Sequence, residues 1–343
     1  AFGNNTQASG DVSFAAGINT MASGTNATAL GGGTQATGQA ATSLGSGSVS
    51  GADYATAGGQ NSTATAQHAT AIGFAGKASG LYALATGNAT EASGKASTAL
   101  GSVTQATAKW ATALGVGTEA SGEASTALGS NTIAATDHSV SLGAWNDANR
   151  TKDNTLIVAG NGSFNNGTVS RSDALVLESN GDLTIAGNLT QNSDRRLKTS
   201  IRSLGDGTLA KLRRLRPVRY EFQNQKTHPS GEQIGLVAQD VRTEFPALVS
   251  GENSDALSLS YSKFTAVLLK GLQEQQSTVD SLKERVQRLE TQQEELDHLK
   301  KRLARLDSNA DRSIFAGLSG SSGGLLLAVL LGGLAGGLLW RRS

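Results

Sequence analysis

A chain of 343 residues is long enough for two or three domains, and its 29 Lys/Arg against 28 Asp/Glu leave a net charge of +1. So even a balance offers no basic field to draw in a nucleic acid. The absence of cysteine removes disulfides, thiolate nucleophiles and cysteine-based metal sites.

The first 150 residues follow a 14-residue period. Gly3, Gly17, Gly31, Gly45, Gly59, Gly73, Gly87, Gly101, Gly115, Gly129 and Gly143 fall in phase without a single slip. A strict period of this length predicts a solenoid whose coils stack on their neighbours, not an enzyme core. Each copy, such as ATALGGGTQATGQA (27–40) or ATALGVGTEASGEA (111–124), reads as strand, Gly turn, small-residue strand, turn. Alternation predicts that Leu30, Leu44, Ile72, Leu100, Leu114, Leu128 and Leu142 point inward from the first strand. Ala22, Ala36, Ala78, Ala92, Ala106, Ala120 and Ala134 do so from the second. One Leu and a few Ala per coil fill only a thin core, so the backbones must approach closely. A roll this slender is expected to need sister chains to bury enough surface. No proline occurs before Pro217, which keeps the ladders uninterrupted.

The A-[TS]-A-[LI]-G core and the A-x-G after it, over residues 1–152, resemble the YadA-like head of trimeric autotransporter adhesins. The resemblance implies a left-handed parallel β-roll, three chains side by side, with a head that binds host surfaces or matrix. Gly58 and Thr86 stand where that pattern has an aliphatic residue. No β-barrel anchor of the adhesin kind is recognised after it, so export by that route is not expected.

The last residue of successive copies reads Asn26, Ala40, Tyr54, His68, Tyr82, Ala96, Trp110, Ala124, His138 and Lys152. This stripe of rings is either a stacking platform for a glycan or protein ligand, or simply a place, at this corner or at the subunit interface, with room for bulk; the second is favoured. His68 and His138 show no metal-ligand spacing, and no metal or cofactor is expected.

Beyond Lys152 the period stops. NTLIVAG, DALVLES and DLTIAGNLT read as short strands of a neck over 153–192, with Asn166-Gly167 and Asn180-Gly181 as turns. Then comes QNSDRRLKTSI (191–201). Ser193 and Lys198, five apart, lie on different faces of either a helix or a strand. Only a bend, or a neighbouring chain, can bring them together.

Ser193–Lys198 (SDRRLK), with LRRLRPVRYEF (212–222), IGLVAQDVRTEFPALV (234–249) and LSYSKFTAVLLKGLQEQQ (259–276) in order, resembles the intramolecular chaperone auto-processing domain of phage tailspikes and endosialidase-type fibres. A similar module precedes a membrane helix in certain membrane-anchored transcription regulators. The resemblance implies an α+β domain over 193–271 that trimerises and cleaves once, between Asn192 and Ser193. Ser193 would be the nucleophile and Lys198 its base, so the enzyme would be a self-cleaving serine endopeptidase of single turnover. Asp194 and Arg196 also match and are assigned to orienting the loop, while Arg195, Arg196 and Arg202 are candidates for a cationic neighbourhood around Lys198.

Leu272, Val279 and Val286 alternate with Leu282, Leu289, Leu296 and Leu303, a heptad seam that predicts a coiled coil over 272–307, trimeric if the upstream modules are. A flexible linker is expected over 308–322. Gly323–Trp340 is uncharged and followed by Arg341-Arg342; as a helix it would span roughly 27 Å of a hydrocarbon core about 30 Å thick. The terminal arginines predict a single-pass protein of the cell envelope or surface with a cytoplasmic C-terminus. The Ser/Gly run, apolar segment and Arg pair also resemble GlyGly-type sorting tails, which are removed during export. The chain starts at Ala1 already in repeat register, and is read as a fragment or processed form. The expected protein is thus a self-processing trimeric fibre or adhesin. A tethered adhesin that never cleaves is the alternative, and the apolar tail disfavours a prophage tail fibre.

Overall fold

The computed structural model describes residues 1–148, 154–252 and 256–318, with side chains of the last helix through 306. The chain divides into two compact units, one of Ala1–Thr199 with Arg219–Ile234 and one of Ser200–Val218 with the residues from Gly235 onward.

Each coil of the first unit gives one five-residue strand and one two-residue strand, as in Thr98–Ser102 and Gln105–Ala106. Successive coils pair in parallel at a register of one repeat. Thr98 lies beside Thr112, Ala99 beside Ala113 and Gly101 beside Gly115. The long strands form one side of a thirteen-stranded sheet, and the short ones a separate ten-stranded sheet. The β-roll expected from the 14-residue period is therefore present.

The seven alanines of the short strands are fully buried, as expected. The long strands differ from the expectation. Their inward residues are Ala15, Ala29, Ala57, Ala71, Ala85, Ala99, Ala113 and Ala127, all at 0% exposure. The aliphatic residue one place on points outward: Leu44, Ile72, Leu128 and Leu142 are exposed and Leu30, Leu100 and Leu114 half-buried. A back strand of only two residues draws the sheets together too closely for a leucine side chain between them, so alanine takes the inside and leucine the outer face. The inward and outward rows were simply exchanged.

Close approach also fixes the in-phase glycine. Gly101 holds φ +129°, and a Cβ built there would sit 1.9 Å from the carbonyl oxygen of Gly115 in the next coil, a conformation and a spacing that only glycine tolerates.

The neck extends the roll. Thr155–Asn161 continues the long-strand sheet in parallel beside Val140–Ala144, and Asp173–Glu178 and Leu183–Ile185 add antiparallel strands. Asn166 and Gly167, both with positive φ, turn the small hairpin of Ser163–Asn165 and Thr168–Ser170 as the dipeptide predicts. The side chain of Asn146 closes the last coil: its Oδ1 accepts from the Ile133 amide (2.7 Å) and its Nδ2 donates to the Ile133 carbonyl (2.9 Å). Arg171 donates to the carbonyls of Asn131 (3.1 Å) and Asn146 (3.0 Å).

Among the described residues the second unit has three α-helices, α1 (Thr208–Leu212), α2 (Ala238–Glu244) and α3 (Tyr261–Leu318). Val241, Leu248, Phe264 and Val267 form its buried core, with Leu212, Leu215, Phe245 and Leu259 packed around them. The heptad positions Leu272, Val279, Leu282, Val286, Leu289, Leu296 and Leu303 all stand exposed along α3. The helix runs on to Leu318, through much of the stretch expected to be a linker; its Ala, Asp, Arg and Leu residues do not break a helix. No helix among the described residues is long and apolar enough to cross a membrane, and the expected membrane segment, 323–340, lies outside them.

Candidate self-processing site

The long-strand sheet ends with Leu183–Ile185, and the chain passes as exposed, irregular backbone to a single 3-10 turn, Arg195–Leu197. Asp194 starts that turn. With φ −60° and ψ 135° it is extended, and its Oδ1 accepts from the Arg196 amide at 2.8 Å, which satisfies a donor the turn leaves open. The same carboxylate binds the Arg196 guanidinium through both oxygens, with Nε at 3.2 and 3.0 Å and Nη2 at 2.6 Å. Backbone cap and bidentate pair thus act on one residue. The Arg196 side chain, then its amide, holds the Asp194 carboxyl below its usual range, and the carboxylate raises Arg196 in return.

The turn reverses the chain enough to bring Lys198 back. Its Nζ donates to Ser193 Oγ at 2.7 Å. Within the single chain, the bend that the spacing requires is this local turn. Ser193 adjoins Asn192, so the hydroxyl stands beside the peptide bond that the resemblance marks for cleavage. Every residue from Gln191 to Ser200 is exposed. The ammonium of Lys198 has no desolvating cover in the single chain. Arg196 is engaged by Asp194, which weakens it as a cationic neighbour, and Arg195 and Arg202 are exposed.

The sequence alone did not reveal the capped turn, because its elements, Asp-x-Arg and one 3-10 turn, are too short to leave a period. It also missed Glu274 and Lys270, which organise the start of α1. Glu274 accepts from the amides of Thr208 and Leu209, and Lys270 donates to Asp206 at 2.9 Å. Among the described residues no cluster of His, Asp and Glu could hold a metal ion.

Residues 193–250 match the family described as chaperone of endosialidase, a match that starts at Ser193 itself. Residues 22–48, 50–75, 78–104, 106–132 and 120–144 match the YadA head domain repeat. The chain is also similar to the long tail fiber protein Gp37 of Enterobacteria phage M1 and to that of Enterobacteria phage Ox2. Each is 34% identical over 96 residues, which is 26% of this chain and 38% of theirs, so most of either relative lies outside the match. YadA head repeats between residues 22 and 144 and a chaperone-of-endosialidase domain over 193–250 thus belong to one and the same chain.

Proposed function

We propose that this protein is a homotrimeric surface fibre or adhesin that trims itself once, between Asn192 and Ser193. The observation that carries the reading is the 2.7 Å contact of Lys198 Nζ with Ser193 Oγ, beside that peptide bond. With Lys198 neutral, its amine takes the hydroxyl proton while Oγ attacks the Asn192 carbonyl carbon. The C–N bond then breaks, Lys198 returns the proton to the leaving Ser193 nitrogen, and Asn192 is left as an ester on Oγ. Water hydrolyses the ester, giving an Asn192 carboxylate and a free Ser193 amino terminus. A neutral lysine near pH 7 needs desolvation or a neighbouring cation. The single chain leaves the dyad in water, so neighbouring chains supply the cover, and cleavage waits for the trimer.

The outward Leu row of the roll and the exposed heptad seam of α3 support association. Both are apolar rows along one face, which water disfavours and sister chains would cover. The head displays a binding surface for host glycan or matrix, and the heptad helix forms a trimeric coiled coil. The apolar run 323–340 anchors the assembly in the cell envelope.

Intact mass of residues 1–312 tests the cleavage, beside Ser193→Ala and Lys198→Ala copies. A fragment starting at Ser193 from the unmodified chain only is the expected result. Full-length trimers in all three would make the domain a trimerisation clamp and the protein a tethered adhesin.

The two phage relatives favour a second reading, a virion tail fibre. Fractionation of the full chain in the producing cell separates the two: membrane-bound protein supports the envelope reading, and protein recovered only on phage particles supports the other.

A further inference from the structure

At the corner that closes each coil, one residue adopts the left-handed conformation, with φ 61° at Tyr54, 58° at His68, 60° at Tyr82, 53° at Ala96 and 60° at Trp110. Equal backbone geometry on parallel coils aims these side chains the same way. Tyr54, His68 and Tyr82 consequently form a ladder, with ring centroids 4.9 Å apart and planes within 6° and 11° of parallel. Ala96 then omits one ring, and Trp110 resumes on the following coil. Two steps of about 4.8 Å separate Tyr82 from Trp110, so a space one ring thick opens between them, over the methyl of Ala96. Tyr82 and Trp110 are 55% and 51% exposed.

We propose that this missing rung is a binding slot for one acidic pyranose ring of a glycan, held between Tyr82 and Trp110. The proposal deepens the display role given above to the head and is independent of self-cleavage. An aromatic ring on either side of the gap suits a saturated ring with axial C–H groups on both faces, as an all-equatorial β-linked sugar has. Charge selects an acid. Lys95, on the coil of Ala96, is exposed and has no ion-pair partner among the described residues. Lys109 lies 3.5 Å over the Trp110 ring and pairs with Glu123 of the next coil at 3.4 Å. Glu123 belongs to the coil that follows Trp110, on the side away from Ala96. The corner before the slot carries Asp53, Gln67, Lys95, Lys109, Glu123 and Asp137 in successive coils, apart from Leu81, and such a charged row stays in contact with water when chains associate.

The test uses the full chain carrying Ser193→Ala, which keeps the head attached whether or not cleavage occurs, with tryptophan fluorescence and calorimetry as readouts. The probes are β-1,4-linked tetraglucuronate, neutral cellotetraose and an acidic peptide rich in tyrosine. Tetraglucuronate is expected to bind. Ala96→Tyr, a ring that the same backbone already carries at Tyr54 and Tyr82, fills the slot and weakens binding at least about tenfold. It leaves the circular dichroism of the roll unchanged. Lys95→Gln is expected to weaken tetraglucuronate several-fold and leave cellotetraose unaffected. Undiminished binding by Ala96→Tyr overturns the proposal, as does cellotetraose binding as tightly as the acid, or binding of the peptide alone.

Discussion

The carboxylate of Glu274 accepts from the backbone amides of both Thr208 (3.2 Å) and Leu209 (2.8 Å), tying the start of α1 to the side of α3. Those amides have no partner inside a helix of one turn and a half, so the cap comes from a residue 65 and 66 positions away. Lys270, reaching Asp206 and Glu274, adds charge of the right sign.

Acid should release this contact. The Leu209 amide, followed by the Thr208 amide and Lys270, holds the Glu274 carboxyl below its usual range, and Arg214 does the same for Glu244. A carboxyl depressed in the folded state contributes stability above its unfolded value. That stability is lost as pH falls through the folded one. The unit should therefore hold unchanged down to about pH 5 and lose stability progressively below it. Hydrogen exchange at Thr208 and Leu209, corrected for intrinsic rates, reads this directly, and Glu274→Gln should flatten the pH dependence.

Gly101→Ala should break the roll. The added Cβ would lie 1.9 Å from a backbone oxygen at φ +129°, which costs about 3 kcal/mol or more. Ser102→Ala, on the same strand, should stay within about 0.5 kcal/mol. Thermal melts followed by circular dichroism compare the two.

Phe264→Ala removes the ring that packs edge-on against Phe245 at 6.2 Å inside the small core of the second unit. A loss of about 3–5 kcal/mol is expected, enough to abolish a unit of this size and, with it, fragment formation. Urea titration of the purified chain gives the first number and intact mass the second.

The outward leucines should matter to assembly and not to the coil. Leu128 and Leu142, 48% and 38% exposed, leave the alanine core untouched when changed to lysine. The double substitution is expected to keep the strand signal and shift sedimentation from trimer to smaller species.

Arg196→Ala would free the Asp194 carboxylate from its bidentate partner while leaving Ser193 and Lys198 in place. Cleavage should slow by about 10²-fold through lost alignment, with partial rescue by Arg196→Lys and no change in trimer content. Timed intact-mass spectra on matched trimers measure it.

How far these features could be read in advance depended on whether they left a period. Gly101 and its ten counterparts did, and so did Leu272 to Leu303. The Ala99–Leu100 pair shows the limit. Alternation says that neighbours face opposite ways, but which one faces inward depends on the gap between sheets, and that gap is set by the two-residue strand opposite. The stripe at Tyr54, His68 and Tyr82 was visible as composition, while the stacking came from equal φ values that no residue spells out. Ser193 and Lys198 were legible as a pair through resemblance, yet their contact rests on one turn capped by Asp194.

The cap formed by Asn146 and Arg171 grips only the final coil, and every earlier coil meets only the coils adjacent to it. Length is therefore a counting variable. Excising or duplicating one 14-residue copy shortens or extends the head by about 4.8 Å and leaves the seal and everything after it as they were. Recombination between copies can therefore lengthen or shorten the head in whole steps without breaking the roll.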